Sequence, residues 1–309
     1  MECYDVLYDK QFIIIKQLHK QNFDSIRYFK YEKNSFLYEI KKDLIITASL
    51  DSHVKIIDFK KEESTILIDL NFESQVKRII NTAYFINEFE YILVPFSSNI
   101  QGTIHFYQYK SYCDKNYEYK FCINDNAGFI LGLNHYYCNK NKINYALISN
   151  LEGIFSYIIK EMNSPELHFK FIPKLTEEEK ENNGFDEAYV IEKDSQYILI
   201  GPCFYYGYLF FWDFFEGDLL YTMKLDSGIS DISIWDNNYI FASLNHSVSL
   251  SQFCLINVNT KDIEKVFTVE DKEKRGCGIK VLRHKSKGNY LISSSINGKL
   301  NLYTQNEWI

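Results

Sequence analysis

The feature that most limits how this chain can fold is a short unit that returns again and again along it. Its best copy is Tyr197–Met223, YILIGPCFYYGYLFFWDFFEGDLLYTM. Three apolar runs, Tyr197–Ile200, Tyr208–Trp212 and Leu219–Met223, are parted by turn residues that include Gly207 and Gly217, and Asp213 closes the middle run. Apolar runs this short, bounded by glycine turns, are antiparallel strands of one small sheet.

The other copies are worn. They read Leu44–Ser49, Val54–Phe59 and Thr65–Leu70; Tyr91–Pro95, Thr103–Tyr109 and Tyr117–Ile123; Tyr145–Ser149, Ile154–Ile159 and Leu167–Ile172; Tyr239–Ser243, Ser249–Asn257 and Ile263–Val269; and Tyr290–Ser295 with Leu300–Tyr303. The residues at the Asp213 position are Asp58, Tyr107, Tyr157, Asp213, Asn257 and Tyr303, with gaps of 49, 50, 56, 44 and 46. Such spacing is near the period of repeats that each build one sheet of a radial array. A further apolar run precedes most copies, at Val76–Ile80, Gly128–Leu133, Ala188–Glu192, Ile229–Trp235 and Ile279–Leu282, which makes four strands per unit. In Tyr208–Trp212 every position is apolar. Strands that do not alternate are covered on both faces, as in sheets stacked on one another. The longest gap holds the charged stretch 174–185, KLTEEEKENNGF, expected as a surface insertion with a loop or short helix.

Composition adds bounds. Gly (13) and Pro (4) are few for an all-β chain of 309 residues, and 26 Asn take over turn positions, where they tolerate the left-handed conformation. The net charge of −7 argues against nucleic acid as a general partner. Seven cysteines without a C-x-x-C pair, and seven histidines without a partner at ligand spacing, point to no metal, no cofactor and a reducing compartment, hence the cytoplasm. Met1–Lys10 carries three acidic residues and no apolar stretch, so no signal peptide is expected, and no run approaches a membrane span. No nucleophile elbow or phosphate loop is present, so the chain is expected not to be an enzyme. Gly276-Cys277-Gly278 reads as a turn between units.

In order, Tyr197, Gly201, Gly207, Trp212, Asp213 and Gly217 match the pattern of a WD-repeat blade, and Asn297-Gly298 and Ile57-Asp58 match it in part. From Gln11 onward the chain resembles the WD-repeat β-propeller family with degenerate repeats. Only one unit has Trp-Asp in place, and the family's Gly-His dipeptide is missing from all of them. The resemblance implies one domain over residues 1–309: an all-β propeller of about six four-stranded blades, or seven. By analogy with such propellers the N-terminal strand, Gln11–Leu18, would close the ring by completing the last blade.

The resemblance also implies a non-enzymatic scaffold that presents loops and blade edges to other proteins of a multi-subunit assembly. The candidate interface is aromatic: Phe204, Tyr205 and Tyr206 in a turn where the other units are largely polar, together with Phe215 in the next turn. The alternative function is phosphoinositide binding and peripheral membrane contact through a basic loop. Lys274 and Arg275 before Gly276 are its candidate anion or lipid contacts, faintly similar to the paired arginines of lipid-binding propellers.

Overall fold

The structure, a computed structural model, describes residues 25–30, 43–48, 53–58, 63–69, 83–86, 91–97, 102–111, 116–125, 129–161, 163–181, 184–245, 251–269, 276–284, 288–295 and 300–304. They form six antiparallel sheets, each in simple up-and-down order. The first is β1 (Ser25–Lys30), β2 (Asp43–Ala48), β3 (His53–Asp58) and β4 (Glu63–Asp69). The second is β5 (Tyr84–Ile86), β6 (Tyr91–Ser97), β7 (Gly102–Ser111) and β8 (Asn116–Asp125). The third is β9 (Gly132–Cys138), β10 (Ile143–Ser149), β11 (Ile154–Ile159) and β12 (Glu166–Phe171). After the helix α1 (Glu177–Glu181) comes the fourth: β13 (Tyr189–Lys193), β14 (Gln196–Pro202), β15 (Tyr208–Asp213) and β16 (Leu219–Lys224). The fifth is β17 (Gly228–Ile234), β18 (Tyr239–Asn245), β19 (Ser251–Asn257) and β20 (Asp262–Val269). The sixth, β21 (Gly276–His284), β22 (Gly288–Ser295) and β23 (Leu300–Thr304), has three strands among the described residues.

Four strands per repeat, as read from the sequence, are therefore observed in five sheets. Two details differ. The strand paired with β6 is Tyr84–Ile86, whereas Val76–Ile80 falls outside the described residues. Gly276-Cys277-Gly278 is the start of β21, where the pairing with β22 slips between Gly276 and Gly278. The two glycines therefore serve a β-bulge rather than a turn between units. Gln11–Leu18, and with it ring closure, lies outside the described residues.

Contacts divide the chain into two units, Met1–Ala146 with Tyr157–Leu167, and Leu147–Ser156 with His168–Ile309, the division passing through the third sheet. In the first unit the second sheet buries an aromatic cluster in which Tyr91 meets Phe106 and Phe121 edge-on, at 6.2 and 5.5 Å between ring centres. In the second unit alternate residues of one strand feed different cores. Ile198 and Ile200 of β14, with Leu209 and Phe211 of β15, pack against Ile240, Ala242 and Leu244 of β18. On the other face of β15, Trp212 meets Phe171 of β12 at 5.9 Å. Phe241 of β18 turns away from the first of these cores to join Phe253, Ile279 and Leu291. A strand period of two sends neighbours to opposite faces, and both faces are covered. This is why these strands are apolar throughout rather than alternating.

The Asp213 position is structurally equivalent in adjacent sheets. Asp213 Oδ1 accepts the N–H groups of Phe215 and Glu216, both at 3.0 Å. Asn257 Oδ1 accepts those of Asn259 and Thr260, at 2.9 and 3.3 Å. Each turn closes on a residue in the left-handed region, Gly217 at φ 78° and Lys261 at φ 62°. The pairing with the outer strand also slips just before each position, between Phe211 and Trp212 and between Leu255 and Ile256.

Candidate functional site

The turn between β14 and β15 carries three of the expected interface aromatics. The Cys203 N–H bonds the Tyr208 carbonyl at 2.8 Å, and Gly207 takes φ 69° against the backbone of Leu225 and Ser227, where a Cβ has no room. The thiol of Cys203 is buried, which raises its pKa, while backbone N–H groups of Tyr206, Tyr205, Gly184 and Tyr208 pull it back down. That gathering of donors around one side chain shapes the turn, as Asn150 does in the equivalent turn of the preceding sheet by accepting the N–H groups of Glu152 and Gly153 at 2.8 and 3.1 Å. Tyr205 stands at the tip, 60% exposed, with Phe204 edge-on to it at 4.9 Å. Tyr206 is turned to the chain itself: its hydroxyl donates to the Glu178 carbonyl at 3.0 Å.

That contact docks the charged insertion. The sequence Thr176-x-x-Glu179 forms a capping box. The Thr176 N–H and hydroxyl both donate to Glu179 Oε2 at 2.9 Å, and the Glu179 N–H returns to Thr176 Oγ1 at 3.3 Å. Glu179 Oε1 accepts the Tyr208 hydroxyl at 3.0 Å. The bonds from Thr176 and then from Tyr208 hold the Glu179 carboxyl below its ordinary pKa. Lys224 lies over the Tyr208 ring, 3.9 Å from its centre.

Between this insertion and β15–β16 runs a groove of about 540 Å³. Its floor is Tyr208, Phe210 and Trp212, alternate residues on one face of β15, with ring centres 5.7 and then 5.4 Å apart. Ile172, Pro173 and Leu175 form one wall and Leu219 and Thr222 of β16 the other, with Lys174, Glu179 and Asp218 adding charge, while the Lys170 ammonium lies over the Phe155 ring at 5.3 Å. Ile172 and Leu219 are about half exposed, at 51% and 47%. An aromatic floor, exposed aliphatic walls and charges of both signs suit an amphipathic segment of polypeptide, the apolar side chain down and the backbone or charges at the rim.

The expected interface residues do not form one patch. Phe204, Tyr205 and Tyr206 precede β15, whereas Phe215 follows it, at the opposite end of the strand. Phe215 packs edge-on against Tyr197 at 5.0 Å and His168 at 5.9 Å. Lys274 and Arg275 lie outside the described residues. The groove itself was missed. Its legible signals were the capping box and the unbroken aromatic spacing of Tyr208, Phe210 and Trp212, which reads equally well as plain core.

The sheets just described are those of a β-propeller: antiparallel meanders, five of them four-stranded among the described residues, with strands such as β6 and β15 covered on both faces. The chain is similar to a solved structure of the Dos1 propeller, with a TM-score of 0.59 and 12% sequence identity, over 85% of this chain and 66% of that one. In all, 919 solved chains match, as expected of a recurrent architecture, so the likeness carries the fold alone. No family model matches the chain, and no curated protein does. Among the described residues no helix is long and apolar enough to cross a membrane.

Proposed function

We propose that this chain is a non-enzymatic, WD-repeat-like scaffold of the cytoplasm, whose groove over Tyr208, Phe210 and Trp212 takes a segment of another protein in a larger assembly. The observation that carries this reading is the groove's composition. Ile172 and Leu219 are half exposed and stand directly beside buried Phe210 and Trp212, so the aromatic floor continues to the surface along both walls. Exposed aliphatic residues contiguous with an aromatic floor mark interaction surfaces. The charges on the walls favour a segment that carries both signs: Lys174 would face acidic residues, and Glu179 and Asp218 basic ones. Tyr205 at the adjoining turn extends the contact area.

The test is affinity purification of the tagged full chain from its native source, wild type against Leu219→Asp and Tyr205→Ser. Both changes sit at exposed positions, so the fold should survive them, which far-UV circular dichroism checks. The reading expects one protein to be retained in fixed ratio by the wild type and lost with Leu219→Asp. An identical set of retained proteins for all three chains would remove the groove from the account.

A further inference from the structure

Strands β17 and β21 open two different sheets, yet side chains join them. Asp231 Oδ2 accepts the Ile279 N–H at 2.8 Å, and Ser233 Oγ accepts the Val281 N–H at 2.8 Å. Residues 231 and 233, like 279 and 281, are two apart and so lie on the same side of their strands. Ile279 belongs to the apolar core shared with Phe241, Phe253 and Leu291, so its outward N–H has no water and needs an acceptor. Two side chains of β17 supply what a backbone ladder would supply within a sheet.

One of the two acceptors can ionise. Asp231 is half-buried, its carboxyl turned to the Ile279 N–H and partly withdrawn from water, and the Asp186 carboxylate, just ahead of β13, adds like charge. Lys280 on β21 and the N–H groups of Ile279 and Ile232 oppose these effects. The Lys280 ammonium donates to the Tyr189 hydroxyl at 3.0 Å, and that hydroxyl donates to Glu187 Oε2 at 2.8 Å, so β13 contributes Tyr189 and Glu187 to the same polar cluster.

We propose that Asp231 and Ser233 form a proton-sensitive clasp that fastens the β21–β23 sheet to β17, tight in acid and loosened at neutral pH. A protonated Asp231 still accepts the Ile279 N–H through its carbonyl oxygen. An ionised one keeps the bond but is less well hydrated than in open solvent and is repelled by Asp186, and parting of the strands relieves both. Burial and Asp186 raise the pKa from 3.8 to about 7, so the closed clasp binds its proton more tightly than the open one. The full hold is present below 3.8, is lost as pH rises to about 7, and is constant above. Ser233 does not titrate and leaves a residual hold at every pH.

The test is amide hydrogen exchange of the full chain at Ile279 and Val281 from pH 4.5 to 8, expressed as protection relative to intrinsic exchange. The wild type should lose protection by up to about tenfold per pH unit until the midpoint and then level off. Asp231→Asn, which keeps an acceptor oxygen and cannot ionise, should be flat, and Leu199 in β14 should be flat in both chains. A flat wild type, an unchanged slope in Asp231→Asn, or an equal fall at Leu199 overturns the clasp. If Asp231→Asn does not fold, titration of the Asp231 carboxyl carbon by NMR in the wild type decides. A midpoint near 7 supports the clasp, and one near 4 overturns it.

Discussion

Replacing Trp212 with alanine probes the packing of one sheet on the next. The ring is 2% exposed, stacks on Phe210 at 5.4 Å and 25°, and meets Phe171 of the preceding sheet at 5.9 Å and 58°. A buried indole removes about 150–250 Å² from water, worth about 4–6 kcal/mol at about 25 cal/mol per Å². The groove beside the ring lowers that figure, because the space left by truncation opens onto the groove and fills with water instead of standing empty. We therefore expect a loss of about 3–4 kcal/mol, in the lower part of the range for large-to-small core changes. Trp212→Phe keeps a ring against Phe171 and should lose about half as much. Urea unfolding followed by far-UV circular dichroism reads both, since fluorescence would change with the substitution itself. A loss under about 1 kcal/mol for Trp212→Ala, the ordinary surface outcome, would refute sheet-on-sheet burial at this strand.

Gly207→Ala forces a Cβ against the backbone of Leu225 and Ser227 at φ 69°. It should cost about 1–3 kcal/mol in the same assay. Asp213→Ala and Asn257→Ala remove equivalent acceptors from equivalent turns. Each should cost about 1–2 kcal/mol, Asn257 the more because its amide also donates to Glu264 at 2.7 Å, and a loss at one site without the other would break the repeat alignment. The Glu179 carboxyl is held below its ordinary value by Thr176 and Tyr208, so its contribution is present above the unfolded pKa and lost as pH falls through the lower folded one. Exchange of the α1 amides should therefore quicken on acidification below pH 4.5 in the wild type and vary less in Glu179→Gln, with little change above pH 6 in either chain.

What the sequence made legible follows from local chemistry. The turn acceptor at the Asp213 position and the tyrosines at or next to the start of β6, β14 and β18 recur because each sheet repeats the same turns and the same two-sided burial. The strand assignments built on them match the observed pairings of Leu199 with Trp212 and of Ala242 with Cys254. Less legible were contacts that cross between repeats. Nothing near Tyr206 announces that its hydroxyl reaches Glu178, 28 residues upstream, nor does Asp231 announce Ile279, 48 residues downstream. Aromatic residues in a turn read alike whether a partner or the chain covers them, and here Tyr206 and Phe215 are engaged by the chain while Tyr205 faces solvent. Likewise, an unbroken apolar strand predicts burial on both faces and cannot reveal that one face, at Tyr208, Phe210 and Trp212, floors an open groove.

The scaffold reading is tested most directly by chemical cross-linking of lysines in the native assembly. Lys174 lines the groove and is both a reporter of occupancy and a point of attachment, whereas the Lys170 ammonium lies over the Phe155 ring at 5.3 Å, on the other face of β12, and serves as the control. The account predicts cross-links from Lys174 to one segment of a second protein, and slower acylation of Lys174 in the assembly than in the isolated chain, with Lys170 unchanged. Cross-links confined to this chain, with acylation rates unchanged in the assembly, would contradict it.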